Sequence, residues 1–221
     1  MESEAQVTRI QRIIYRKRLL VKWASLYGEK LPIGFRLSGY MGSYARKLLS
    51  AFQAWASLPA TGEWNTLTIQ TLEKAVRARR VNATQWTWDG VLTPRGRKPQ
   101  RIIFHHAAAS FATAAQIHTM HLARGFTGIG YHYYVRKDGS IWRGRPEWAT
   151  GAHAEGYNSD IGICCEGNFE TERMGAEQLA ALLWLRADIR RRNGRLADVR
   201  HRDVNATACP GKFFPMRKLI G

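Results

Sequence analysis

The chain has 221 residues, 45% hydrophobic and 11% aromatic, a normal globular composition able to bury a core. Its 34 Lys and Arg against 17 Asp and Glu leave a formal net charge of +17, which favours polyanionic partners: nucleic acid, anionic lipid or anionic envelope polymer. Three cysteines, two of them adjacent (Cys164, Cys165), make no disulfide framework, and no apolar run approaches the roughly 18 residues of a membrane span. The start, MESEAQVTRIQR, is acidic and lacks an apolar signal core, so a chain made in a reducing compartment is expected, and something else must carry it if it acts outside.

Taken in chain order, residues 7–26 place Val7, Ile10, Ile13, Ile14, Val21 and Trp23 near helical spacing, with Arg and Lys between them. LPIGFRLSGYMG (31–42) reads as a loop. Residues 43–58 form a second amphipathic helix with Ser43 as its expected cap, and 65–80 a third, opening on Asn65. The stretch 1–90 carries 14 basic and 6 acidic residues, a net +8, while the longer 91–221 carries 20 and 11, a net +9.

Beyond the basic, Pro-containing stretch 92–100 the pattern changes. RIIFHH (101–106) is a short apolar strand and 113–125 a helix stopped by Gly125. Residues 131–145 read strand, Asp-Gly turn, strand. DIGICCEG (160–167) is a buried strand, and 175–194 a long helix ending at Asn-Gly. These elements predict an α/β domain over 101–221, a small all-α three-helix domain over 1–80 and a linker over 81–100.

Potential metal-ligating side chains gather in the second region. His105 and His106 end a strand, where neighbouring residues face opposite ways, so only one readily enters a given cleft. His201 and Cys209 share HRDVNATACPG (201–211), which has no helical period and can fold back to bring both to one point. Imidazole with thiolate suits zinc, and three protein ligands leave a fourth position for water. From these residues alone Cys209 remains open: a metal ligand, a nucleophile paired with histidine, or a small buried residue before a Pro-Gly turn.

Four segments in order, FHHAAAS, GYHYYVRKDGSIWRGR, GAHAEGYNSDIGI and HRDVNATACPG, resemble the zinc-dependent N-acetylmuramoyl-L-alanine amidases of the peptidoglycan-recognition-protein superfamily, nearest in pattern to phage lysozyme-like amidases. The resemblance covers about 101–215. It implies a mixed central sheet flanked by helices and a Zn2+ held by His105, His201 and Cys209, the first position of the family's H-x-[ST/A]-A motif selecting His105 over His106. It also implies a catalytic Tyr131, a Thr207 hydroxyl facing the reacting carbonyl, and His153 and Asn158 as substrate contacts lining the cleft. Some relatives carry Glu where this chain has Cys164, which shifts any proton transfer onto Tyr131. Asp203 could orient His201, while a solvated loop charge is the plainer reading. His118 and His121, three apart on a helix, read as surface or packing residues.

ARKLLSAFQAWASLPATGEWNTLTIQTL, within the first region, is similar to the peptidoglycan-binding type 1 module, with Tyr40, Tyr44, Trp64 and Arg46 as candidate wall contacts. The resemblances together imply an endolysin: a monomer without a membrane span or a specific nucleic-acid partner. It would be made in the host cytoplasm, pass out by a holin, and hydrolyse the amide between N-acetylmuramic acid and L-alanine of peptidoglycan. A bacterial autolysin of the same chemistry and a peptidoglycan-recognition protein that binds without cutting are the alternatives.

Overall fold

The computed structural model describes residues 4–27, 29–33, 35–76 and 81–220, and the chain divides into two compact units, 1–78 and 79–221. The first holds α1 (Glu4–Tyr27), α2 (Ser43–Trp55) and α3 (Thr66–Val76); residues 77–80 of the expected third helix lie outside the described residues. Trp23 is the centre of its core, edge-on to Phe52 at 5.3 Å and to Trp55 at 5.8 Å, with Leu20, Leu48, Leu49 and Leu72 fully covered around it. Large aromatic rings let so small a bundle bury enough apolar surface to hold together.

Two buried polar side chains set the loops of this unit. Gln53 accepts from Gly62 N at 2.8 Å and donates to the Glu63 carbonyl at 2.9 Å, closing the LPATG turn against α2. Lys17 donates to the Ser38 and Tyr40 carbonyls, and its burial lowers its pKa. Asn65 caps α3 as expected, its Oδ1 accepting from Thr68 N at 2.7 Å. Ser43 does not cap α2: it is the first helical residue, and Gly42 takes the cap position without a side-chain bond.

The second unit is a mixed six-stranded sheet: β1 (Val81–Asn82), β2 (Arg101–His106), β3 (Tyr133–Val135), β4 (Ile141–Arg143), β5 (Ile161–Cys165) and β6 (Ala197–Arg200). Their order is β1-β4-β3-β5-β2-β6, with β3 and β4 antiparallel and every other pairing parallel. The register pairs Phe104 with Ile163 and Ile163 with Tyr133, so these three share one face. That face carries α5 (Ala176–Asn193), whose Arg192 donates to Tyr133 Oη, and the packed rings of Phe169 and Phe214. His105, Cys164 and Tyr134 share the other face, under α4 (Ala114–Leu122). A short α6 (Met216–Ile220) closes the chain.

The segment 81–100 is not a linker. Val81 and Asn82 pair with Ile141 and Trp142. Trp86 donates to the Arg143 carbonyl at 2.9 Å and stacks on His118 at 4.6 Å. Thr93 and Arg95 bond to residues 148–150. Two tryptophans in this stretch have too much apolar surface to leave in water, and His118 of α4 meets both rings.

Candidate metal centre

β2 lies between β5 and β6, and the pairing of Phe104 with Arg200 brings His105 and His201 level although 96 positions separate them. His201 opens a 3-10 turn (His201–Asp203) directly after β6. The chain then loops back, and Arg202 N donates to the Cys209 carbonyl at 2.8 Å. Gly211, at φ +100°, lets the loop press against the Phe169 backbone, where a Cβ would come within 2.3 Å. The result is a cluster of His105, His201 and Cys209 whose ligand atoms all lie within 4.8 Å of one another.

Hydrogen bonds decide which nitrogen of His105 faces this cluster. The Asp160 carbonyl can only accept, so His153 Nε2, at 3.2 Å, donates to it. Burial holds His153 neutral, its pKa lowered to about 3, which leaves its Nδ1 as an acceptor. His105 Nε2, 3.1 Å away, therefore donates, and the His105 Nδ1 lone pair points at Cys209 Sγ, 3.7 Å distant. Burial, reinforced by His153 and His201, holds the His105 pKa well below its usual value. Donors about 2.0 and 2.3 Å from one tetrahedral zinc would sit roughly 3.6 Å apart, so the pair fits such an ion.

Cys209 is half-buried, and its sulfur accepts from His106 N at 3.4 Å. Burial pushes its thiol up to about 11, so an ion taking the thiolate would release a proton on binding. His106 itself faces away, its Nδ1 accepting from Phe169 N at 3.1 Å. Asp203 does not reach His201: its carboxylate is held by Arg200, from the backbone N at 2.8 Å and from the guanidinium.

Tyr131 sits beside the cluster, its ring 5.1 Å from that of His105. Burial pushes its phenol well above the ordinary value, with the Cys164 thiol within hydrogen-bonding reach. Cys164 beside it is fully covered, and burial pushes its thiol well up, so it is a neutral group. Thr207 is exposed, and its Oγ1 accepts from Cys209 N at 3.2 Å, so the hydroxyl shapes the ligand loop while keeping its proton to donate.

The His153 ring does not line an open cleft, while Asn158, half-buried, holds the loop that carries it. The His153 ring is buried with both nitrogens engaged, lying on Gly162 so closely that a Cβ there would meet it at 2.5 Å. Asn158 Oδ1 accepts from His153 N at 2.7 Å and Ala154 N at 2.9 Å, which clamps the loop carrying that histidine. Asp160, fully buried, anchors the same loop through Arg97 at 2.8 Å and Arg101 at 3.0 Å. Two further supports escaped the sequence reading. His118 Nδ1 accepts from Ile129 N and His121 Nδ1 from Gly130 N, so α4 grips the two backbone amides just before Tyr131. Their three-residue spacing on one helical face was the available signal.

Residues 95–212 match the family model described as N-acetylmuramoyl-L-alanine amidase. The chain belongs to that family. It is 31% identical over 118 residues to the endolysin of Klebsiella phage KP32, covering 49% of this chain and 78% of that one. It is 34% identical over 134 residues to a peptidoglycan-recognition protein of Drosophila simulans, covering 55% and 74%. Among solved structures, the N-acetylmuramoyl-L-alanine amidase LysC from Clostridium intestinale superposes with a TM-score of 0.62 at 38% identity, over 64% of this chain and 95% of that one. The protein is accordingly an endolysin-type N-acetylmuramoyl-L-alanine amidase, a hydrolase of the carbon–nitrogen amide bond, with the mixed sheet and flanking helices expected of it.

Proposed function

We propose that the amidase works with one Zn2+ held by His105, His201 and Cys209, on the amide joining the lactyl group of N-acetylmuramic acid to L-alanine of peptidoglycan. The observation that carries this reading is the relay from the Asp160 carbonyl through His153, which leaves the His105 Nδ1 lone pair facing Cys209. A zinc ion held by these three residues would supply Lewis acidity, for the scissile carbonyl and for an attacking water near neutral pH.

The chain's own side chains do the rest. Tyr131, kept protonated by burial, orients the attacking water and passes a proton toward the leaving amine of L-alanine. Thr207 donates its free hydroxyl proton to the oxygen on which negative charge develops. His153 and Asn158 act from behind, fixing His105 rather than touching substrate. The unit 1–78 serves as the wall-binding part of a monomer that is released to the cell wall after synthesis.

Digesting purified peptidoglycan with and without a chelator tests the reading. New L-alanine amino termini that disappear with chelator and return with Zn2+ support it; new reducing sugars overturn it. Replacing Tyr131 with Phe is expected to lower turnover by about 10²-fold with the fold intact, and near-normal turnover would remove Tyr131 from the mechanism.

A further inference from the structure

The unit 1–78 holds a cleft of about 800 Å3. Arg9, Arg12 and Arg16 reach it from one face of α1 and Arg46 enters from α2, while no acidic side chain lines it among the described residues. Glu63, outside that lining, pairs with Arg46 at 3.2 Å, and no carboxylate among the described residues lining the cleft faces the three arginines of α1. The Arg16 guanidinium lies 5.7 Å from the centre of the Trp64 ring, whose Nε1 donates to Met41 Sδ at 3.4 Å. Tyr40 stands at the cleft 76% exposed, a flat ring open to a ligand. Like charges converging on one concavity repel one another, and an anion entering it relieves that repulsion.

We propose that this cleft binds the carboxylate-bearing stem peptide of uncut peptidoglycan rather than its glycan strand, an assignment that rests on the second unit being a peptidoglycan amidase. Guanidinium forks match carboxylates in bidentate pairs. In uncut wall polymer the lactyl carboxyl of the sugar is already tied up in the amide, so the negative charge lies on the peptide. A cleft of this size takes a few residues of a branched peptide, whereas duplex nucleic acid calls for an extended cationic surface along its phosphates. Binding through the stem raises the effective concentration of the catalytic unit at neighbouring stems. It also makes attachment self-limiting, because each amide that is cut detaches a stem from the glycan.

The test uses the full chain. Co-sedimentation is measured at low temperature with purified sacculi freed of other anionic polymers, amine release being followed to show that they stay uncut. The second arm uses the same sacculi stripped of stems by an unrelated amidase, the freed lactyl carboxyls being capped as amides and the glycan strands coupled to beads so that they still sediment. The doubly substituted chain, Arg12→Ala with Arg46→Ala, alters two exposed side chains outside the catalytic unit. Intact sacculi are expected to bind and stripped glycan to fall to background. The double substitution is expected to weaken sacculus binding by about tenfold or more, with turnover of a soluble muropeptide unchanged. Equal binding of stripped and intact sacculi overturns the proposal. So does normal sacculus binding by the double variant, including the case in which only its duplex DNA binding falls. Failure of the unsubstituted chain to cut the soluble muropeptide instead refutes the amidase reading, and the binding arms still report on the cleft.

Discussion

The two units solve the problem of a stable interior in different ways. The helical unit has no histidine or cysteine and is held by Trp23, Phe52 and their leucine neighbours, its few buried polar groups bonding to loop carbonyls and amides. The sheet unit contains all seven histidines and all three cysteines. It buries His105, His106, His118, His121, His132 and His153, while His201 stays half-buried. Most of those rings are bonded by backbone amides and carbonyls that hold each ring in one orientation. A core of rings and aliphatic chains supplies stability alone; a core threaded with imidazoles also aims lone pairs, at the expense of sensitivity to protons and to loss of a partner.

The sharpest way to separate the units is to remove the ligand set. Cys209→Ala, or chelation of the unsubstituted chain, is expected to reduce amide hydrolysis by on the order of 10³-fold. Far-UV circular dichroism of the helical unit should not change. A Cys209→Ala chain that still releases L-alanine amino termini at a normal rate contradicts the ligand assignment. The converse change lies in the other unit: Trp23→Ala is expected to destabilise it by about 3–5 kcal/mol, measured by urea unfolding, with hydrolysis of a soluble muropeptide retained.

Acid should distinguish the two cores next. Burial lowers His132 to about 3 and His121 to about 4. The unfolded chain therefore binds these protons first. The stability from keeping the rings neutral is complete above the unfolded value near 6.5 and is lost as pH falls from there toward the folded values. Between pH 7 and pH 5 the sheet unit should lose roughly 2 kcal/mol for each such ring. The helical unit has no histidine to titrate in this window. Thermal melts at the two pH values check this, and a parallel decline of both units refutes it.

The smallest expected effect concerns the relay alone. His153→Gln should weaken Zn2+ binding by about 10–100-fold, read by competition with a chromophoric chelator. The melting temperature of the metal-free protein should fall only modestly. Unchanged affinity means that His105 needs no partner to present Nδ1.

Much of this was legible from residues in order. The hairpin about Asp138-Gly139, the strand ending in His105 and the long helix to Asn193 rest on local periodicity and turn chemistry, and they stand where the pattern puts them. What escaped depended on distant partners. β1 and β6 are two and four residues long and exist only because β4 and β2 pair with them. The stretch 81–100 reads as a linker until Trp86 finds His118. His153 and Asn158, in a loop of polar and small residues, read as cleft lining, while packing against Gly162 turns the His153 ring inward and two backbone amides of the loop take Asn158 Oδ1.

By itself the sequence determined the chemistry available: imidazoles and one accessible thiol in the motif order of an amidase, and a separate helical segment rich in arginine and tryptophan. Only the tertiary structure decided which nitrogen of His105 carries the proton and which histidines support rather than bind. Those outcomes hang on hydrogen bonds between segments distant in the sequence, such as that of His153 to His105, 48 residues apart. No local propensity encodes a register of that kind, because its energy appears only when both partners are already in place.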